Sequence, residues 1–214
     1  MLPLSFQQRK GLKILCLGAH CDDIEIGCGG TVMRLAEENN GLIAKWVVFT
    51  SNPEREREAR ESAGHFLEKA SSSDVVILKY RDGFLPYEGM GVKTFFEEMK
   101  AFQPDVIFTH FRHDLHQDHR FICDLTWNTF RDHFILEYEI PKYDGDLGNP
   151  NFYVTIDNAI ADKKIAALQQ YFPSQSGKHW FDRDTFSSIM RIRGMESVSR
   201  SRYAEGFYLR KAVL

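Results

Sequence analysis

The sequence predicts an α/β protein with a Rossmann-like, doubly wound, mostly parallel sheet and a smaller, irregular α+β C-terminal part. Short apolar segments alternate with helical patterns along about the first 135 residues, which is typical of a parallel sheet with crossover helices. A glycine-rich stretch at residues 27–30 opens the first helical pattern. Two polar clusters directly follow apolar strands, and ligands bind at the carboxyl edge of such sheets.

The core elements follow in order along the chain. Residues 13–17 (KILCL) are apolar throughout and end at Gly18, as expected for a strand buried on both faces. In the helix that starts at the glycines, Val32 and Leu35 share one face. The remaining core elements are predicted as strands 44–50, 74–80 and 105–110 and as helices 53–69, 92–102 and 118–133.

The last third of the chain has weaker patterns. Residues 143–150 (YDGDLGNP) have turn chemistry and mark where the architecture is expected to change. Further elements are predicted as a strand at 152–156, helices at 158–172 and 182–193, and a strand at 206–213. Because no long linker divides the chain, we expect a single domain over residues 1–214, with a core at about 12–135 and an extension at about 150–214. Residues 178–214 hold eight basic and four acidic residues, which either solvate a helical face or meet an anionic part of a substrate.

Composition excludes several classes of protein. Hydrophobic residues make up 43% of the chain and charged residues 27%, which is ordinary globular usage. The 27 basic and 30 acidic residues give a net charge of -3, which argues against a general nucleic-acid binder. No apolar run reaches the ~18 residues of a membrane span, and Arg9 and Lys10 stand where a signal peptide needs its hydrophobic stretch. We therefore expect a cytoplasmic protein without a membrane span; the sequence leaves homo-oligomerisation open.

The cysteines favour a reducing compartment, because their spacings match neither a disulfide scaffold nor a CxxC pair. Cys16 and Cys123 lie in apolar patterns and are expected in the core. Cys21 differs, because it lies inside the first polar cluster.

That first cluster is HCDDIE, residues 20–25, directly after the first strand. Packing does not explain three carboxylates and an imidazole in six residues, although Asp22 or Asp23 could instead cap the helix that follows. The second cluster, HFRHDLHQDH at residues 110–119, contains four of the eight histidines. Imidazoles interleaved with carboxylates are the donors that a transition-metal site needs. Four histidines are too many for one such site, and His113 is expected to be exposed.

Topology predicts that the two clusters share one pocket. In a 3-2-1-4 strand order, the strands before His20 and His110 are neighbours, and the crevice between their ends is the switch point. His116 and His119, three residues apart at a helix start, can point to the same side. A dinucleotide site is not supported, because GxGxxG would need glycine at Val32.

These residues resemble the PIG-L/LmbE-like family of metal-dependent N-deacetylases, which act on N-acetylglucosaminyl groups. That family has AHPDDxE after its first strand and HxxxDxHxDH after its fourth. This chain has AHCDDIE at residues 19–25 and HFRHDLHQDH at residues 110–119. The layout agrees over residues 12 to about 135, and the C-terminal third resembles the family only through YAEGF at residues 203–207. The chain departs from the pattern at Cys21, where the family usually has proline.

The resemblance implies a role for each matching residue. The implied metal ligands are His20, Asp23 and His119, with Asp22 as the general base. His116 is implied to stabilise the oxyanion or to protonate the leaving amine, oriented by Asp118. The cofactor is expected to be Zn²⁺, although Fe²⁺ or another divalent transition metal fits the same ligands. The expected partner is a small-molecule N-acetylated sugar or glycoconjugate.

The chemistry of these residue types agrees with the resemblance. Three protein ligands leave a position for water, whose pKa a divalent metal lowers towards ~7. Asp22, beside ligand Asp23, can accept the proton of that water. A protonated His116 with a carboxylate on its other ring nitrogen would stabilise the developing negative charge.

Two further positions are implied more weakly to bind substrate. Family members place a substrate-binding arginine near the charged helix at 53–69, and Arg57 is chosen here, with Asp114 as a second contact to a sugar hydroxyl. The alternating charges of this helix are equally explained by a solvated surface.

Two other functions remain open. His116, Asp118 and a distant His179 could form the 2-His-1-carboxylate face of an iron oxygenase, but that hypothesis leaves the first cluster unexplained. Alternatively, Cys21 has altered the geometry, and the protein is a non-catalytic, metal-dependent sugar-binding module.

Overall fold

The computed structural model describes residue 6 and residues 10–213. Its strands are β1 (Lys13–Gly18), β2 (Ile43–Thr50), β3 (Ser72–Tyr80), β4 (Val106–His110), β5 (Phe134–Tyr138), β6 (Phe152–Ile156) and β7 (Tyr203–Leu209). The α-helices are α1 (Asp23–Glu38), α2 (Pro53–Phe66), α3 (Gly89–Met99), α4 (Gln117–Thr129), α5 (Asn158–Tyr171) and α6 (Arg183–Glu196). Short 3₁₀ helices cover Leu85–Glu88, Lys100–Phe102 and Pro173–Gln175.

All seven strands join one sheet in the order β3-β2-β1-β4-β5-β7-β6. Strands β1 to β5 pair in parallel, whereas β7 runs antiparallel to both of its neighbours. The predicted 3-2-1-4 order is therefore confirmed, and β1 and β4 lie side by side. Helices α1, α2, α5 and α6 contribute to the hydrophobic core on one face of the sheet, and α3 and α4 contribute to the core on the other.

Strand β5 is the element that the sequence patterns failed to predict. The helix predicted to continue to residue 133 ends at Thr129, and the chain leaves the helical conformation at Phe130. The next residues, FILEY, form the buried parallel partner of β4. The final strand also begins earlier than predicted, at Tyr203 instead of residue 206.

The glycines of α1 permit close packing on the sheet and on α2. A Cβ at Gly27 would lie 2.1 Å from Cδ2 of Tyr138, and one at Gly29 would lie 2.4 Å from Cε1 of Phe66. The hydroxyl of Tyr138 donates to the carbonyl of Leu17 at 2.6 Å. This close approach brings the N-terminal end of α1 against the carboxyl ends of β1 and β5.

The C-terminal part completes the sheet and forms hydrogen bonds with the backbone of α1. The Glu205 carboxylate accepts hydrogen bonds from the backbone amides of Gly30 and Thr31 at 2.8 and 2.7 Å. The Lys164 ammonium donates to Glu205 and to the carbonyl of Ile26, both at 2.6 Å. The residues predicted as an extension therefore hold the helix that begins at the first polar cluster.

The basic stretch at residues 178–214 is partly used inside the fold. Arg193 is 5% exposed and donates to both carboxylate oxygens of Glu139, at 2.6 and 2.9 Å. Arg191 is exposed and lies over the ring of Tyr203. Among the residues described, no helix combines the length and the apolar character that crossing a membrane requires.

Candidate metal centre and active site

The two polar clusters meet at the carboxyl ends of β1 and β4. Nδ1 of His20 lies 3.0 Å from Nε2 of His119. Oδ2 of Asp23 lies 3.2 Å from the same His20 nitrogen and 3.5 Å from the same His119 nitrogen. The predicted convergence of three donor atoms, one from each expected ligand, is therefore observed.

Local structure explains how the first cluster is presented. His20 lies in the short loop between β1 and α1, and its backbone amide donates to Oδ2 of Asp23 at 2.6 Å. Asp22 occupies the N-cap position of α1, but its side chain makes no capping hydrogen bond. The alternative explanation of this aspartate as a helix cap is therefore wrong.

Carboxylates orient the imidazoles of both His20 and His119. Oδ2 of Asp114 lies 2.9 Å from Nδ1 of His119, so this nitrogen carries the proton and Nε2 faces the convergence point. Nε2 of His20 lies 3.0 Å from Asp82 and 3.4 Å from Asp118, which leaves Nδ1 facing the same point.

The donor set fits a divalent metal ion. Zinc ligands at ~2.1 Å in a tetrahedron lie about 3.4 Å from one another, close to the spacings of His20, Asp23 and His119. His110 is less suitable as a ligand, because its Nε2 already accepts a hydrogen bond from the amide of Ala19 at 2.9 Å.

The electrostatics of the three donors also suit a cation. Burial and the neighbouring His110 lower the pKa of His119 to about 3, so this imidazole is neutral. Burial opposes ionisation of Asp23, but the three surrounding histidines hold its pKa well below the usual value. Burial likewise lowers the pKa of His20, but Asp23 and the other carboxylates outweigh it and raise that pKa. The raised pKa means that His20 holds a proton more strongly than a free imidazole does, and a cation bound at its Nδ1 would displace that proton.

One carboxylate oxygen of Asp22 accepts a hydrogen bond, and the other has no partner among the described residues. It is 4% exposed, and Oδ1 accepts a hydrogen bond from Arg55 at 2.8 Å. Within the described part of the chain, its Oδ2 is buried without a hydrogen-bond partner. This oxygen is therefore available to accept a proton.

The arginine beside the site is Arg55, and the choice of Arg57 is not supported. Arg55 lies in the first turn of α2, where it bridges Asp22 and Glu58. Arg57, two residues further along the helix, is exposed. Two residues on an α-helix differ by about 200° in direction, so only one of these arginines can face the site.

His116 is positioned differently from the expectation. It is the N-cap residue of α4, and its Nδ1 accepts a hydrogen bond from the backbone amide of Asp118 at 3.2 Å. The Asp118 carboxylate accepts from the amides of Gly83 and Leu85, at 2.7 and 3.1 Å. Asp118 thus orients His116 through its backbone, and the expected contact with its carboxylate is wrong. Burial and the charge of His20 lower the pKa of His116, which favours a neutral ring with its proton on Nε2.

Asp114 supports the candidate ligand His119, and its expected contact with a sugar hydroxyl is not supported. It is 2% exposed, and besides His119 it accepts a hydrogen bond from the amide of His116 at 2.8 Å. Its Oδ2 also lies 3.0 Å from Nζ of Lys142. The Asp114 carboxylate therefore has partners within the protein on both oxygens.

Other predictions for the clusters can now be assessed. His113 is exposed, and Cys16 and Cys123 are fully buried, as predicted. Cys21 is 1% exposed and its thiol donates to the carbonyl of Thr50, so it does not face the candidate metal ligands. His179 is exposed and belongs to none of the donor groups found among the described residues, which contradicts the iron-oxygenase hypothesis.

A cavity of about 410 Å³ opens beside His20. Its polar lining comes from the ends of β2 and β3 and the start of α2, and includes Thr50, Asn52, Arg55, Lys79, Arg81 and Asp82. Sequence patterns did not single out three of the residues around the site, Arg55, Asp82 and Lys142. Asp82 lies two residues after the predicted strand 74–80. It is therefore at the carboxyl edge of the sheet, where ligands bind, and this position is the signal that could have identified it.

Comparisons with known proteins agree with this geometry. The model of the PIG-L family, described as GlcNAc-PI de-N-acetylase, matches residues 15–130. Uncharacterized deacetylase YaiS of Escherichia coli (strain K12) is 49% identical over 47 residues. That match covers 22% of this chain and only 23% of the length of YaiS.

Solved structures share the fold over nearly the whole chain. The N,N'-diacetylchitobiose deacetylase from Pyrococcus horikoshii has a TM-score of 0.71 and 24% identity, covering 92% of this chain and 83% of its own. The 4-carboxy-2-hydroxymuconate hydratase GalB from Pseudomonas putida KT2440 has a TM-score of 0.76 and 16% identity, covering 95% and 98%. The fold thus accommodates two reactions, and the family must be identified from sequence. Because the family model matches more than half of the chain and spans both polar clusters, this protein belongs to the PIG-L family.

Proposed function

We propose that this protein is a metal-dependent hydrolase that removes the N-acetyl group from a small-molecule amino sugar or glycoconjugate. The observation that carries the proposal is the convergence of His20, Asp23 and His119 within 3.5 Å beside the buried carboxylate of Asp22. Water adds to the acetamide carbonyl and the C–N bond breaks, which yields acetate and a free amine.

The residues that would hold the metal are His20, Asp23 and His119. Zn²⁺ is our first choice, and Fe²⁺ or another divalent transition metal is compatible with the same ligands. A bound divalent cation would polarise the carbonyl and lower the pKa of water. Asp114 keeps the His119 ring in the tautomer that such a ligand needs.

Asp22 is the proposed general base. Its Oδ2 is buried without a hydrogen-bond partner in the described residues, whereas Arg55 holds Oδ1 at 2.8 Å. This arrangement fixes the carboxylate in one orientation and leaves one oxygen to receive the proton of the attacking water. General-base catalysis of this kind contributes about 10²- to 10⁴-fold in rate.

His116 is the proposed donor to the carbonyl oxygen. Because its Nδ1 accepts the amide of Asp118, the neutral ring can donate from Nε2 to the negative charge that develops. The departing amine would receive its proton from Asp22, which holds the proton taken from water, because a neutral imidazole is too weak an acid to deliver one. The sequence led us to expect a protonated His116. Burial instead lowers the pKa of His116, which favours the neutral ring.

The sugar would lie in the cavity beside His20. Asp82 and Arg55 line this cavity and offer an acceptor and donors for sugar hydroxyls. Cys21 also lines this cavity, and its thiol donates to the carbonyl of Thr50 on β2.

Acetate release provides the direct test. The protein is loaded with Zn²⁺ or Fe²⁺ and incubated with N-acetylglucosaminides, nucleotide sugars and glycolipid head groups, and acetate and free amine are both measured. We expect equal amounts of the two products from at least one substrate class, and no products after chelation. Sugar binding without acetate would instead identify a non-catalytic binding module.

Asp22→Asn tests the assignment of the base. The variant keeps the metal ligands, so we expect unchanged metal content by elemental analysis and a kcat lowered about 10²- to 10⁴-fold, or about 3 to 5 kcal/mol of barrier. Asp144→Asn, in an exposed turn, is the matched control and should keep full activity. Nearly full turnover by Asp22→Asn would show that another group accepts the proton.

A further inference from the structure

A chain of polar contacts leads from Asp22 into the C-terminal part of the protein. Arg55 donates to Oδ1 of Asp22 at 2.8 Å, and its Nε lies 3.5 Å from Oε2 of Glu58. Glu58 in turn accepts hydrogen bonds from Ser174, whose amide donates to Oε1 at 2.9 Å and whose hydroxyl donates to Oε2 at 2.6 Å. The arginine that holds the proposed base is therefore connected to the short helix Pro173–Gln175.

Burial makes the charges of Arg55 and Glu58 depend on each other. Glu58 is 2% exposed, and Nε of Arg55 is buried with no hydrogen-bond partner in the described part of the chain. The distance of 3.5 Å between this Nε and Glu58 is longer than a typical hydrogen bond, so the attraction is that of an ion pair. Water and salt screen a buried ion pair much less than one on the surface. Glu58 is therefore a second anion, besides Asp22, that stabilises the position of the guanidinium.

Glu58 limits where the side chain of Arg55 can turn. Residues three apart on an α-helix are neighbours, so Arg55 and Glu58 share one face of α2. Arg55 also lines the cavity beside His20, where a guanidinium held by one carboxylate alone could turn towards substrate or water and release Asp22. The carboxylate of Glu58 is itself fixed, because both of its oxygens accept hydrogen bonds from Ser174.

We propose that Glu58 is a positioning residue that keeps Arg55 on Oδ1 of Asp22, so that the C-terminal part of the chain sets the orientation of the base. This inference rests on the proposed function, because Asp22 is the base of that reaction. Glu58 is not among the described residues that line the cavity, so its effect on the reaction must pass through Arg55. Its loss should therefore lower kcat more than it changes KM.

A double-mutant cycle tests the route of this effect. Glu58→Gln keeps the shape of the side chain but removes its charge. We expect kcat for acetate release to fall about 10-fold, with KM within about 2-fold of wild type and an unchanged metal content. In an Arg55→Ala background the same substitution should change kcat by less than about 2-fold, because the residue through which Glu58 acts is absent. An equal loss of kcat in both backgrounds, or no loss in either, would overturn the inference.

Glu61→Gln is the matched control, since Glu61 is exposed and lies about one turn further along α2. It removes the same charge from the same helix and should keep the kcat and KM of wild type. Ser174→Ala alters an exposed residue at the other end of the chain of contacts, and the loss of one hydrogen bond to Glu58 should lower kcat about 2- to 5-fold. If Glu58→Gln does not fold, Ser174→Ala provides the test, and an unchanged kcat would refute the inference.

Hydrogen exchange at Arg55 gives a readout that needs no turnover. The Nε–H signal of Arg55 is assigned in NMR spectra of the nitrogen-labelled protein by its absence from Arg55→Ala. Its exchange with water should be at least about 10-fold faster in Glu58→Gln than in wild type, because the guanidinium is released. If no substrate yields acetate, the proposed function fails, and this comparison still decides whether Glu58 holds Arg55. Equal exchange rates in wild type and Glu58→Gln would refute the inference.

Discussion

Oδ2 of Asp114 lies 2.9 Å from Nδ1 of His119. Asp114 is 2% exposed, so this contact is sheltered from water, and it fixes which nitrogen of His119 faces His20 and Asp23. The same carboxylate accepts the backbone amide of His116 at 2.8 Å. One carboxylate thus orients a proposed metal ligand and holds the backbone of the proposed donor to the carbonyl oxygen.

Asp114→Asn should weaken metal binding without removing a ligand. Loss of the negative charge behind His119 makes its imidazole a poorer donor, and supporting carboxylates of this kind contribute about 10- to 100-fold in metal affinity. The dissociation constant for Zn²⁺ is measured by competition with a chromophoric chelator. Asp144→Asn, on the exposed turn, is the control and should bind like wild type. An affinity for Zn²⁺ equal to that of wild type in Asp114→Asn would show that Asp114 does not support His119.

Lys142→Met should destabilise the folded protein. Lys142 lies between Asp114 and Asp146, and both of these carboxylates would lose their cation while remaining buried or half-buried. Removing one partner of a buried ion pair costs about 3–5 kcal/mol, and partial exposure of Lys142 puts the expectation at about 2–4 kcal/mol. The free energy of unfolding is measured in urea.

The matched control for this variant is Lys163→Met. Lys163 is exposed and lies 3.8 Å from Glu37, so its removal should change the free energy of unfolding by less than about 1 kcal/mol. Equal effects of the two substitutions would contradict a structural role for the Lys142 ion pairs.

Gly27→Ala tests the close packing of α1 on β5. The new methyl group would overlap the Tyr138 ring at 2.1 Å, and Tyr138 holds the carbonyl of Leu17 through its hydroxyl. Overpacking of this kind costs about 1–3 kcal/mol, seen as a lower free energy of unfolding. Gly64→Ala is the control, because nothing lies within 4 Å of a Cβ at this helical position, and it should stabilise by about 1 kcal/mol.

The parts of the fold that could be predicted rest on local pattern and general topology. Alternating strands and helices indicated the parallel half of the sheet, and its handed crossovers placed His20 and His119 at one edge. The ion pair between Lys164 and Glu205 joins segments that are distant in sequence. It could not be predicted, because a single contact leaves no periodic pattern in the sequence. Strand β5 was missed because its residues, FILEY, show no strict alternation and follow a helix without a glycine or proline between them.

Within the site, the residue types were easier to predict than their directions. The Asp114 carboxylate was expected to face substrate, but it lies against the His119 ring. The Asp118 carboxylate was expected to face His116, but it accepts the backbone amide of Gly83. Both lie around the N-terminal turn of α4, where backbone amides and the imidazole of the proposed ligand His119 compete for these carboxylates. Sequence spacing does not decide that competition, because it depends on the loop after β3 that contributes Gly83.

Arg55→Ala and Arg57→Ala together decide which arginine of α2 serves the site. Arg55 donates to Oδ1 of Asp22 at 2.8 Å, so its loss should free the proposed base to rotate and should lower kcat/KM for acetate release by at least about 10-fold. Arg57 is exposed, and its replacement should leave kcat/KM within about 2-fold of wild type because surface charges contribute little. Initial rates of acetate release over a range of substrate concentrations, at one metal loading, measure both effects. If Arg57→Ala proved the more damaging substitution, the outward direction of Arg57 in α2 would be wrong, and with it the pairing of Arg55 with Asp22 as the device that fixes the base.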